Sequence, residues 1–217
     1  MKQERTMYTA DQVWACAVAA QRINGEYLKE PVWGPSDSGE DRMIKDANKL
    51  MVKQWLRTEN YSLVTAADHE QGREMRNYFN GYLLKQISGK INDFESTALR
   101  IAQMDEFTGK HLLEFAVISC LPSVMLRDQD RRDLKDAING STQLEGDVGD
   151  KIQGMIDVFR CDYQQAYNKF KVQARLGDSF VNFWYGSRLE GAVTIRAKIK
   201  AQRGDNTTQL NFVKVIS

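Results

Sequence analysis

Two strand-like segments late in the chain carry cations at alternate positions. Lys169, Lys171 and Arg175 fall in one and Arg196, Lys198 and Lys200 in the other, with no Asp or Glu inside either run. Alternate residues of a strand share a face, so each trio makes a cationic stripe. Such a stripe suits a phosphate backbone, which releases condensed counterions when it is neutralised. The alternative is that these side chains only solvate a barrel and discourage edge pairing.

Aromatic residues interleave with the cations: Phe159, Tyr163, Tyr167, Phe180, Phe183, Trp184 and Tyr185. A base stacked on a ring gains about 1–3 kcal/mol and needs no particular sequence. Alternation puts Phe180 and Trp184 on one face and Val181, Phe183 and Tyr185 on the other, so one set is expected outside. Trp184, with Tyr167 on the Lys169/Lys171 face, is the expected exposed pair. These two rings and the six cations form the candidate nucleic-acid-binding set, and the cations are expected to converge on one groove.

Other reactive residues lead nowhere as definite. Asp68-His69-Glu70 and His111 bring imidazoles and carboxylates, but consecutive helical residues point apart, so an acidic first turn is expected rather than a metal site. Cys16, Cys120 and Cys161 lie far apart without a C-x-x-C pair, which argues against a zinc site and a disulfide framework. Cys120, in an apolar helix, is expected to be an inert thiol. The Walker loop, the dinucleotide glycine fingerprint, H-E-x-x-H and G-x-S-x-G are all missing. No catalytic residue, metal or cofactor is therefore expected, and the chain reads as a non-enzyme.

These side chains must be positioned by a chain of 217 residues, 42% hydrophobic and 27% charged, ordinary values for a globular protein. The net charge of +1 hides an asymmetry. From Val148 onward, 11 Lys and Arg face 6 acids, leaving 19 basic and 23 acidic residues before it. Opposite charge in the two parts suggests separate partners. Met1-Lys2-Gln3-Glu4-Arg5 lacks the apolar stretch of a signal peptide, and no run reaches the length of a membrane span. A cytoplasmic location is expected.

The first part reads as helix. Thr9-Ala10-Asp11-Gln12 has the form of a capping box, and Asn24-Gly25 a stop. Pro31 to Gly39 is a loop in which Trp33 is expected to plug the helical core. A second helix takes Ile44, Ala47, Leu50, Met51, Trp55 and Leu56. Thr65 caps a third, ended by Ser88-Gly89, and Asn92 starts a fourth. Leu112 to Leu121 reads as the central buried helix, stopped by Pro122, and a last helix runs from about Arg127 to Ile138. Its Asp128-Gln129-Asp130-Arg131-Arg132-Asp133 is a solvated face or a docking surface. Beyond Gly149 the period changes to two. Domains are thus expected at 1–140 (helical) and 150–217 (strands), joined by a linker at 141–149.

Five strands in about seventy residues, the first long and centred on a glycine, resemble the OB fold. Gly191-Ala192-Val193-Thr194-Ile195-Arg196-Ala197-Lys198-Ile199-Lys200 and Gln209-Leu210-Asn211-Phe212-Val213-Lys214-Val215 are similar to the closing strands of OB domains in replication and repair proteins. The space from Tyr185 to Gly191 is too short for the helix that many such barrels insert, so an open or differently plugged end is expected. A helical part followed by a small terminal barrel is also similar in style to phage-encoded DNA-metabolism proteins. The expected fold is α+β, an all-helical N-terminal domain followed by a five-stranded OB-like antiparallel barrel. What the resemblance implies is an accessory protein whose barrel holds single-stranded DNA or RNA. Its helical domain would contact a replication, recombination or transcription partner. The alternative is an adaptor or inhibitor whose barrel docks on an acidic protein surface.

Overall fold

In the computed structural model, which describes residues 6–35 and 40–216, two compact units are separable: Met1–Asp128 and Gln129–Ser217. The loop tip Ser36-Asp37-Ser38-Gly39 and the first five residues, read above for a leader, lie outside the described residues.

The first unit is built round α1 (Ala10–Asn24), whose alanines make it thin enough to be covered on several sides. Val13, Trp14, Ala15, Cys16, Ala17, Ala19 and Ala20 are all buried. Thr9 and Gln12 close the expected capping box. Helix α2 (Asn48–Thr58) and α3 (Ala66–Asn80) flank it. Gly72 of α3 sits against the α1 backbone, where an added Cβ would come 3.0 Å from the Ala15 nitrogen. Trp14 stacks on Phe79 at 6.1 Å between centroids, and full burial of a side chain such as Phe79 contributes about 1.5–3 kcal/mol. Asn92 and Glu95 form a capping box for α5 (Asp93–Ala102), which follows the short α4 (Leu83–Ile87).

Several expectations need correction here. The unit is not all helix: β1 (Met7–Thr9) pairs with β4 (Glu106–Thr108), and β2 (Val32–Pro35) with β3 (Asp41–Lys45). Ile44 belongs to that second ribbon rather than to α2. Trp33, its register neighbour Met43 and Ile44 are exposed, so Trp33 does not plug the core. The central helix is α1. Helix α6 (Leu112–Ile118) leaves Leu112 and Leu113 exposed. Pro122 opens α7 (Leu121–Asn139) instead of stopping its predecessor, because proline is well suited to a first turn whose N–H groups have no helical acceptor.

The second unit holds a closed barrel of β5 (Lys151–Gln164), β6 (Lys169–Leu176), β7 (Ser179–Tyr185), β8 (Gly191–Gln202) and β9 (Thr207–Ile216). Its strands follow the order β5-β6-β7-β9-β8. The sheet is mixed, not antiparallel throughout: β7 and β9 run parallel through Phe180–Thr207 to Asn182–Gln209. The result is OB-like, and the overall class is α+β. Ile156, Val172, Ala174, Val181, Phe183, Ile195, Ala197, Ile199 and Leu210 fill the interior. Gly154 leaves room for Leu176, whose Cδ1 would lie 2.6 Å from a Cβ there.

Both ends are filled without a helix. Leu189, from the short β7–β8 connection, enters the core, and its N–H reaches the Cys161 sulfur at 3.4 Å. Leu144 packs on the core near the exit of β8, where the Gln202 side chain donates to the carbonyls of Leu144 and Gly146. The segment 141–149 is fastened further by Thr142 N–H to Asp178 O and Gly149 N–H to Ile199 O.

Candidate nucleic-acid interface

Each cation of the two stripes points outward, between inward neighbours. On β6, Phe170, Val172 and Ala174 turn in while Lys169, Lys171 and Arg175 are exposed. On β8, Ile195, Ala197 and Ile199 turn in between Arg196, Lys198 and Lys200. The alternation is as read from sequence, but the single shared groove is not what the strand order builds. Strands β6 and β8 are separated by β5 on one side and by β7 with β9 on the other. Lys169 lies opposite Gln164 at the end of β5, and Lys198 opposite Lys151 at its start. That is about 40 Å of strand. The two trios occupy different walls.

The β6–β7 wall brings together cations and rings. Tyr167 stands on the 3-10 turn Gln165–Tyr167, and its ring lies 4.8 Å from that of Trp184. Lys171 is the register partner of Trp184. Tyr167 is 66% exposed and Trp184 36%, so the pair presents ring surface to solvent. Phe180 behaves otherwise. It shares the outward parity of Trp184 yet is wholly buried, with Phe159 against it edge-to-face at 6.3 Å. Phe159 reaches it from a bulge in β5.

Carboxylates temper this wall. Asp162 lies across from Lys171 and Asp157 across from Arg175, and Asp162 pairs with Arg160 at 2.5 Å. Among the described residues, Lys169, Lys171 and Arg175 make no ion pair themselves. Arg175, four residues beyond Lys171 and beside buried Phe180, stands apart from the ring pair.

The β5–β8–β9 wall is different in kind. Strands β8 and β9 and the first six residues of β5 contain no Asp or Glu. Lys151 adjoins Lys198 and Lys214 adjoins Arg196 in register, two cations that the stripe reading missed. Arg196 donates through Nε and Nη2 to Gln153 Oε1 at 3.1 and 3.0 Å, which orients it without neutralising it. Phe212, also missed, is 74% exposed.

The residues that suggested other chemistry are dispersed. His69 Nδ1 contacts Asp11 at 2.5 Å, while His111 accepts from the Thr108 N–H at 3.0 Å. No cluster of His, Cys, Asp and Glu fit to hold a metal occurs among the described residues. Burial, with the nearby Asp68 charge, pushes the Cys16 thiol up to about 12, and burial also raises Cys120. Neither has thiolate character. A groove of about 380 Å³ on α2 is lined by Leu50, Lys53, Gln54, Arg57 and Thr58, which supply no acid to partner a base. No described helix is long and apolar enough to cross a membrane.

No protein-family model, curated protein or solved structure matches the chain.

Proposed function

We propose that the barrel is a non-enzymatic module for single-stranded nucleic acid, DNA or RNA, with the acidic helical unit free to contact a protein of nucleic-acid metabolism. The observation that carries this reading is the Tyr167–Trp184 ring pair beside Lys171, with Lys169 two residues along the same face. A base can lie on the rings while the neighbouring phosphates meet the ammonium groups. That combination of stacking platform and cationic flank suits an unpaired strand, whose bases are free to stack.

The test is a fluorescence-anisotropy titration of the whole chain with labelled oligothymidylate and oligouridylate at several salt concentrations. Binding that weakens linearly in log–log form as salt rises is the expected result. Absence of binding at low salt would overturn the reading in favour of a barrel that docks on an acidic protein surface.

A further inference from the structure

Phe212 occupies a backbone position that its side chain disfavours. Its φ is +50°, in the left-handed region, which costs an L-residue other than Gly, Asn or Asp roughly 1–2 kcal/mol. The cause is a bulge. Arg196 pairs with Lys214 and Lys198 with Asn211, so Phe212 and Val213 together oppose Ala197 alone. Bulges of this left-handed kind usually hold glycine. Here the position holds a large ring turned to solvent, and the only cation recorded over it is Lys198, whose Nζ lies 5.8 Å from the ring centroid.

A second local irregularity sits beside it. Asn211, register partner of Lys198, has a buried side-chain oxygen that no described donor reaches. Core packing does not explain an exposed ring in a strained conformation, and stored strain of this sort concentrates where a protein handles a ligand. The surroundings define that ligand. Lys151, Arg196, Lys198 and Lys214 are adjacent in register with no carboxylate on their strands at this end. Arg196 keeps Nη1 without a protein partner among the described residues. A polyanion with a flat face answers both features.

We infer that the β5–β8–β9 wall is a second polynucleotide track, on which Lys151, Arg196, Lys198 and Lys214 take phosphates and Phe212 stacks an unpaired base. This rests on the nucleic-acid reading of the barrel but places a contact surface where the Tyr167–Trp184 pair does not reach. A strand that engages both walls must pass round the barrel, so the second track matters for longer ligands.

The experiment uses the whole chain with thymidine oligomers of about 6 and about 20 nucleotides, spanning the range of single-barrel sites. Phe212→Gly is the main variant, since glycine suits the backbone and cannot unfold the bulge. The inference expects about a tenfold loss of affinity for the longer oligomer, the effect of one lost stack, and little change for the shorter. Lys198→Gln with Lys214→Gln should lower the salt slope for the longer oligomer by about two. Oligomers carrying 5-iodouracil should photo-cross-link to Phe212, and should still do so in Trp184→Ala. Cross-links confined to Tyr167 and Trp184, with affinity indifferent to Phe212→Gly, would overturn the second track and leave the proposed function intact. Failure of the wild-type chain to bind either oligomer at low salt would sink both.

Discussion

The ring of Tyr167 lies 4.8 Å from the ring of Trp184, joining the turn after β5 to the outer face of β7. Trp184 is flanked by the inward residues Phe183 and Tyr185 but does not itself enter the core. Replacing it removes ligand-facing surface rather than packing. Trp184→Ala should weaken oligonucleotide binding by about 1–3 kcal/mol while the circular-dichroism melt of the protein changes little. Equal affinity for wild type and variant would remove this face from the interface.

Asp162 is the negative neighbour of Lys171 and the ion-pair partner of Arg160. It repels an approaching phosphate and occupies a guanidinium. Asp162→Asn should therefore tighten oligonucleotide binding severalfold at low salt and steepen its salt dependence, since Arg160 becomes available. Competition titrations at two ionic strengths decide the point, and a weaker complex would contradict it.

Phe212→Gly should act in opposite directions on stability and on ligand. Relief of the left-handed strain is expected to raise barrel stability by about 1 kcal/mol, read as a higher midpoint in urea, even as the longer oligonucleotide binds less well. A lower midpoint would show that the ring contributes packing that the exposed geometry does not reveal.

The helical unit carries a charge pair with a defined acid limit. Arg22 donates to Asp68 through Nε at 2.9 Å and Nη2 at 2.8 Å, and Thr65 adds backbone and hydroxyl bonds to the same carboxylate. Burial on its own would raise the Asp68 pKa, but these bonds together hold it below the ordinary value. A carboxyl depressed in the folded state stabilises above its unfolded pKa of about 3.9 and loses that contribution as pH falls through the lower folded value. The Asp68 contribution should be intact at pH 5 and disappear progressively below about pH 4. Arg22→Gln should cost about 1–3 kcal/mol at pH 7 and shrink the difference from wild type as the acid is titrated. Urea melts at pH 7, 5 and 3 measure both effects.

How much could be read beforehand follows the range of the forces involved. Capping boxes at Thr9, Thr65 and Asn92 act over three residues and were legible, as was the inward–outward alternation of Phe170 to Arg175 and of Ile195 to Lys200. Strand order depends on pairings between residues tens of positions apart, such as Lys151 with Lys198, so the split of the two cationic trios onto separate walls left no local mark. Phe180 reads as an outward residue by parity, and only the Phe159 bulge explains its burial. Asn211-Phe212-Val213-Lys214 looks like regular alternation without a glycine to betray a bulge. The Tyr167–Trp184 contact lay between these extremes: parity put both rings on the outside, but their proximity came from the turn that carries Tyr167.

Leu189 and Leu144 stopper the barrel from its two ends, and the inward side chains occupy the bore between them. The domain is thus a spool and not a cup. Any molecule it retains must be wound on the rim instead of swallowed, so the length of partner engaged is governed by circumference, and short pieces should be held by one arc at a time.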